Sequence, residues 1–271
     1  RGAASHIEGP MMVIAGAGSG KTRVLTYRIA HLISKGTDAF SILALTFTNK
    51  AAREMKDRIA KVIGDGEARN VWMGTFHSVF ARILRIESER INYPRNFTIY
   101  DTSDSRALIK DIVKGLGLDD KIYKAASVQS RISNAKNNLI DAKGYADNTD
   151  IMSEDTQAGR PRIHEVYRAY ESRCFRAQAM DFDDLLFKMN VLLRDFPDLL
   201  LKYQHKFQYI LVDEYQDTNF SQYVIIKQLA ALRENLCVVG DDAQSIYGFR
   251  GANIENILNF KKDYPDFAMY K

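Results

Sequence analysis

Cysteine is scarce: two in 271 residues, Cys174 and Cys237. That is no disulfide framework, and a chain of this length buries a core without one. The scarcity favours a reducing, cytoplasmic setting over secretion. No apolar run approaches the about 18 residues that a membrane span requires, and no signal-peptide pattern opens the chain. A membrane partner is therefore not expected. Internal repeats and low-complexity tracts are missing too. Charge of one sign is not in large excess, since 38 Lys and Arg against 34 Asp and Glu leave +4. A balance this mild is compatible with nucleic acid without pointing to it. Hydrophobic residues at 46% and charged residues at 27% exclude a disordered or fibrous chain. The length suits one large domain or two ordinary ones. The chain opens on Arg1 rather than Met and closes on Phe267–Lys271, the start of another strand, so a fragment of a longer protein is expected.

What is present alternates. Met11–Gly16 is a short buried-strand run, and Lys21–Lys35 follows with Leu25, Ile29, Leu32 and Ile33 at helical spacing, stopped by Gly36. Ile42–Thr48 is a second strand, after which Asn49 is expected to cap a helix carrying Ala52, Met55, Ile59 and Val62 and ending at Gly64. Val71–Gly74 is a third strand, before a helix with Phe76, Val79, Phe80, Ile83 and Leu84. Alternation of this kind implies a parallel sheet covered on both faces. Between about Glu89 and Phe207 strand signal is weak beyond Phe97–Tyr100. Helical patterns dominate there: Ser105–Lys114, Val128–Leu139, Ile163–Ala177 and Asp183–Arg194. The polar stretch Asp141–Arg160 reads as a mobile surface segment. Strands resume at Tyr209–Asp213 and Leu236–Gly240, with helices at Gln222–Leu232 and near Ile254–Phe260. The expected fold is α/β, interrupted by a mainly helical insertion, with parts at 1–88, 89–206 and 207–271.

Three motifs carry chemistry. Gly16-Ala17-Gly18-Ser19-Gly20-Lys21-Thr22 joins the first strand to its helix. There, consecutive backbone N–H groups and a helix N-terminus converge on one anion, and glycines let phosphate approach closely. Lys21 can reach the β- and γ-phosphates, and Thr22 can ligate Mg²⁺. The strict pattern starts with Gly one residue earlier, where Ala15 stands. Asp213 and Glu214 end a later apolar strand, and a parallel sheet delivers strand ends to the edge that holds the phosphate loop. Asp213 suits Mg²⁺ and Glu214 a general base, although an Asp-Glu pair alone is common in solvated turns. Gln244 follows another strand and can sense a γ-phosphate through its amide. Next to it Tyr247, Phe249 and Arg250 suit base stacking in a Gly-flanked loop, or packing in a core.

Read in order, AGAGSGKT, LALTFTNKAAREMKDR (Leu43–Arg58), GTFHSVFARILR (Gly74–Arg85), DFDDLL (Asp181–Leu186), LVDEYQDTN (Leu211–Asn219) and VGDDAQSIYGFRGA (Val239–Ala252) resemble the motifs of UvrD/PcrA/Rep-type superfamily 1 DNA helicases. The resemblance spans nearly the whole chain. It implies a RecA-like P-loop NTPase domain with the family's accessory subdomain inserted, and an ATP-driven 3′–5′ DNA translocase of repair or replication. It assigns Gly18, Gly20, Lys21, Thr22, Asp213 and Glu214 to Mg-ATP, Gln244 to coupling, and Arg23 to flanking the adenine. Single-stranded DNA contacts map onto Phe47, Asn49, Thr75, His77, Phe182, Tyr247, Phe249 and Arg250, where the family usually has Trp in place of Phe249. His77 by itself suits a capping or packing role, and Phe182 by itself could be core, since Leu185, Leu186 and Met189 continue an apolar face. The implied partners are single-stranded DNA, its junctions with duplex, and a second RecA-like domain beyond residue 271 that carries the arginines for the transition state. A helicase-nuclease subunit and a non-catalytic nucleotide- or DNA-binding module remain open alternatives at this level.

Overall fold

The structure is a computed structural model and describes residues 2–16, 20–241 and 254–271. In chain order it runs α1 (Gly2–Ser5), β1 (Met11–Ala15), α2 (Lys21–Ser34), β2 (Ile42–Thr46), α3 (Asn49–Ile63), α4 (Asp65–Asn70), β3 (Trp72–Thr75) and α5 (Phe76–Glu87). The middle follows as β4 (Thr98–Tyr100), α6 (Thr102–Gly115), α7 (Ala125–Asn137), α8 (Ala142–Asp147), α9 (Thr149–Gln157), α10 (Ile163–Arg176), β5 (Ala179–Asp181) and α11 (Phe182–Asp195). The chain then returns through α12 (Pro197–Lys206), β6 (Tyr209–Val212), α13 (Phe220–Ala230), β7 (Leu236–Asp241), α14 (Ile254–Asp263) and β8 (Ala268–Tyr270).

By contact it divides into two compact units: Arg1–Val79 with Leu193–Thr218 and Gln222–Lys271, and Phe80–Leu192 with Asn219–Ser221. The sequence pattern sets these boundaries at 88/89 and 206/207. Two features separate the two divisions: α5 and α11 each run across a contact boundary, and α12, a helix that the sequence pattern left inside the insertion, belongs to the first unit.

The first unit is built on a six-stranded sheet of order β3-β2-β6-β7-β1-β8, with every pairing parallel. Its inner strands are buried on both faces, which is why they read as continuous apolar runs rather than alternating ones. Met11 and Val13 of β1, Ala44 of β2, and Cys237 and Val239 of β7 pack with Leu25, Ile29 and Leu32 of α2 and Met55 and Ile59 of α3. Val62, expected on the same face, is exposed instead. Helix α2 stops as its sequence predicts. Gly36 takes φ +93°, and the N–H groups of Gly36 and Thr37 donate to the carbonyls of Ile33 (2.9 Å) and Leu32 (3.0 Å), a Schellman closure. The cap of α3 is corrected: Thr48, not Asn49, accepts from the Ala51 N–H at 3.1 Å. Asn49 is the first helical residue and is exposed.

The second unit packs α6, α7, α8 and α10 around Ile109, Val113, Val128, Ile132, Tyr145, Val166, Tyr167 and Tyr170, beside the two-stranded parallel sheet β4-β5. The stretch Asp141–Arg160 is not the mobile segment that its composition suggests. Asp141 and Asn148 cap α8 and α9, accepting from the N–H groups of Gly144 (2.7 Å) and Ile151 (3.0 Å). Tyr145 is buried and donates to Asp155 at 2.5 Å, and Arg131 closes on the same carboxylate at 2.9 Å. Cys174 lies buried in this unit and Cys237 buried in the first. Burial pushes their thiols up to about 12 and about 11, respectively.

At the centre of the second unit Lys136 is 1% exposed, with its ammonium 2.8 Å from Asp181 and 2.9 Å from Asp184. Tyr170 donates to Asp181 at 2.8 Å. Burial works against the ammonium, but the two carboxylates hold its pKa well above the usual lysine value. Removing the cation leaves two buried carboxylates uncompensated. Lys136→Ala is therefore expected to destabilise the chain by about 3–5 kcal/mol, read from the urea midpoint by circular dichroism. A loss near zero would mean that the carboxylates find another partner.

Candidate functional site

The sheet register builds the site. Ala15, the last residue of β1, pairs with Asp241, the last residue of β7. Val212 pairs with Val238 of β7 and with Leu45 of β2, so Asp213 and Glu214 leave the sheet at the same edge. Beyond β1 the chain passes Gly16 and re-emerges at Gly20, whose left-handed backbone, φ +87°, starts α2. Only glycine adopts that conformation without penalty. Its carbonyl accepts from Arg23 and Val24 at 2.8 and 3.1 Å. The first N–H groups of a helix have no partner inside it and attract anions.

Lys21, in the first turn, places its ammonium 3.2 Å from Asp241 and 3.6 Å from Glu214. Thr22 donates its hydroxyl to Asp213 at 3.3 Å. The Asp213 N–H donates to the Leu45 carbonyl at 3.0 Å, which ties the backbone of this residue to the neighbouring strand. Glu214 adopts φ +48°, a left-handed conformation that costs a non-glycine residue about 1–3 kcal/mol and concentrates at functional sites. Its carboxylate accepts from Gln216 at 2.7 Å.

Four of the residues singled out in the sequence thus meet: Lys21, Thr22, Asp213 and Glu214. Gly16 and Gly20 flank them, while Ala17, Gly18, Ser19 and Gln244 lie outside the described residues. Arg23 is exposed, with its guanidinium carbon 5.5 Å from the centre of the Tyr27 ring. The pair lines an open cavity of about 1030 Å³ together with Gly20 and Val24. Asp241 and Gln216 escaped the sequence reading. Asp241 sits inside the quoted GDDAQ run, but nothing in a linear sequence says that β7 lies beside β1.

A second set of residues follows β2 and β3 on the same edge. Phe47 is half-buried, its ring centre 5.2 Å from that of Phe76. Thr75 caps α5, accepting from the Ser78 N–H at 3.2 Å. His77 is half-buried in the first turn of α5, and burial lowers its pKa, so the imidazole is neutral at pH 7. Asn49 shares a shallow cavity of about 300 Å³ with Arg53 and Lys56, two cations that the sequence reading did not single out. In the second unit Phe182 opens α11 and is 49% exposed, which decides against a core role. Tyr247, Phe249 and Arg250 lie outside the described residues.

Residues 1–265 match the family model described as the UvrD/REP helicase N-terminal domain. The chain belongs to this family. Its parallel α/β first unit is accordingly RecA-like. Among its relatives, the ATP-dependent DNA helicase PcrA of Leuconostoc citreum is 50% identical over 260 residues, which are 96% of this chain and 34% of that protein. The proteins of the same name from Staphylococcus aureus and Staphylococcus epidermidis are 50% and 48% identical, each over 96% of this chain and 35% of their own length. The chain spans about a third of the length of these curated relatives. Among the described residues no helix is long and apolar enough to cross a membrane.

Burial, and then the charge of Glu214, push the Asp213 pKa above the ordinary carboxylate value. A raised carboxylate binds its proton more tightly in the folded state, so its ionisation costs stability as the pH rises through the acid range. Asp213→Asn removes that cost. In the nucleotide-free UvrD/REP-type domain it is expected to melt no lower than the parent at neutral pH, with any gap closing in acid. A lower melting temperature at neutral pH would show that the charge is a net stabiliser.

Proposed function

We propose that this chain is the ATP-binding part of a longer enzyme that couples Mg-ATP hydrolysis to 3′–5′ movement along single-stranded DNA. The observation that supports this most directly is the convergence of Lys21, Thr22, Asp213 and Glu214 at one sheet edge, beside the N-terminus of α2. The residues also suit the cation. Thr22 and Asp213 offer hard oxygen donors 3.3 Å apart, the ligand type that Mg²⁺ prefers. When bound there, Mg²⁺ neutralises charge on the phosphates.

The chain's own groups do the rest. Lys21 exchanges its two carboxylate neighbours for phosphate oxygens, and Glu214 accepts a proton from the attacking water. Arg23 and Tyr27 border the space for the base. Phe47, Asn49, Thr75, His77 and Phe182, with Tyr247, Phe249 and Arg250, supply stacking and polar contacts to a single strand or its junction with duplex, and Gln244 links that strand to the γ-phosphate. In this reading the arginines for the transition state come from a second RecA-like domain, in keeping with a chain that spans about a third of the length of its relatives.

Two experiments test this. Lys21→Ala is expected to weaken nucleotide binding by about tenfold or more, since a charge-assisted contact is lost. Glu214→Gln should keep that binding while slowing hydrolysis by about 10²–10⁴-fold in the full-length protein. Equal loss of binding in both, measured by calorimetry with a non-hydrolysable ATP analogue, would overturn these roles. Separately, Phe182→Ala should weaken oligo-dT binding by about 1–3 kcal/mol if the ring stacks on a base. Fluorescence anisotropy that shows no change at several salt concentrations would remove Phe182 from the DNA surface.

A further inference from the structure

Gln216 stands two residues past Glu214, in the short 3₁₀ turn Tyr215–Asp217, and is 4% exposed. Its amide bonds in two directions. Nε2 donates to Glu214 Oε2 at 2.7 Å, and Oε1 accepts from the Asp241 N–H at 3.3 Å. The Gln216 backbone carbonyl accepts from Asn256 Nδ2 at 3.2 Å, and the same nitrogen donates to the Thr218 carbonyl at 2.7 Å. Asn256 is 5% exposed, in the first turn of α14. Gly240 leaves space for the amide, since a Cβ there would lie 3.2 Å from Gln216 Oε1.

The chemistry of this position is restrictive. A neutral amide offers a donor and an acceptor on one planar group. A carboxylate would face Glu214 with like charge, and an apolar side chain would leave the buried Asp241 N–H without this bond. The connectivity is equally specific. Asp241 and Asn256 stand on the two sides of residues 242–253, the stretch that contains Gln244, Tyr247, Phe249 and Arg250. One residue therefore joins the Glu214 carboxylate to both flanks of that stretch.

We propose that Gln216 is a positioning residue for hydrolysis: it holds the Glu214 carboxylate at a place set jointly by Asp241 and Asn256. This rests on Glu214 acting as general base in the function proposed above. Binding of nucleotide does not require the arrangement. The rate does, because a misplaced base loses its alignment with the attacking water.

The test uses steady-state ATPase of the full-length protein, with and without oligo-dT. Gln216→Glu keeps the acceptor for Asp241 and replaces the donor by a like charge beside Glu214. Gly240→Ala presses on the amide and leaves Gln216 itself in place. Both are expected to lower kcat by about 10- to 100-fold, with KM for ATP and oligo-dT affinity within about twofold of the parent. Asn256→Ala, which frees the Gln216 backbone, should lower kcat in the same direction by a smaller factor. Thermal melting accompanies each variant, and if Gln216→Glu fails to fold, Gly240→Ala decides. Lys21→Ala is the control for the site itself: turnover that survives it means the nucleotide site is elsewhere, whatever Gln216 does. If Lys21→Ala abolishes turnover while Gln216→Glu and Gly240→Ala keep kcat, or change KM alone, the positioning role is overturned.

Discussion

A parallel sheet ends all its strands on one edge, and here that geometry crowds charge. β6 and β7 bring Asp213, Glu214 and Asp241 to the place where α2 brings one ammonium, that of Lys21. At an effective dielectric near 20, unit charges 4 Å apart interact by about 4 kcal/mol, so three carboxylates gathered at one edge concentrate negative charge there. Much of the local architecture distributes that surplus. The Thr22 hydroxyl and the Glu214 N–H both donate to Asp213, the Gln216 amide serves Glu214, and the backbone of Glu214 turns into a conformation that few side chains adopt. In the proposed function, a ligand that brings a divalent cation and a polyphosphate supplies charge of both signs to this edge.

Much of this was legible in the sequence, for identifiable reasons. Buried parallel strands leave continuous apolar runs, and long helices leave a 3.6-residue period, so β1, β2, β3, β6 and β7 and the helices α2, α3 and α13 were located to within a residue or two, while the six-residue α4 was not foreseen. Lys21, Thr22, Asp213 and Glu214 were found because a glycine loop and strand-end acids are local patterns. Asp241 was missed because its importance comes from strand order, which puts β7 between β6 and β1 although β1 comes first in the chain. Gln216 was missed because its role depends on groups 25 and 40 residues away. The cap of α3 slipped by one residue, since Thr48 and Asn49 are both good caps and the backbone chooses between them.

The second unit was harder to read. Two of its helices, α8 and α9, are short, and the stretch Asp141–Arg160 that holds them is polar enough to pass for a loop. Its order comes from two capping side chains and from Asp155, which gathers the Tyr145 hydroxyl and the Arg131 guanidinium inside the fold. β5 is three residues long, too short to leave a period, and is held by pairing with β4. Lys136 looks in sequence like an ordinary surface residue of a helix. Only the folding of α7 against the β5–α11 junction sets it between two buried aspartates.

The two cysteines have a use that their chemistry did not advertise. One thiol is buried in each unit, with its ionisation suppressed by burial, so neither reacts while its surroundings stay closed. Alkylation of Cys237 therefore clocks the breathing of the sheet, and alkylation of Cys174 clocks that of the helical unit. The chain carries its own pair of chemical stopwatches, one for each half, with no label to be engineered.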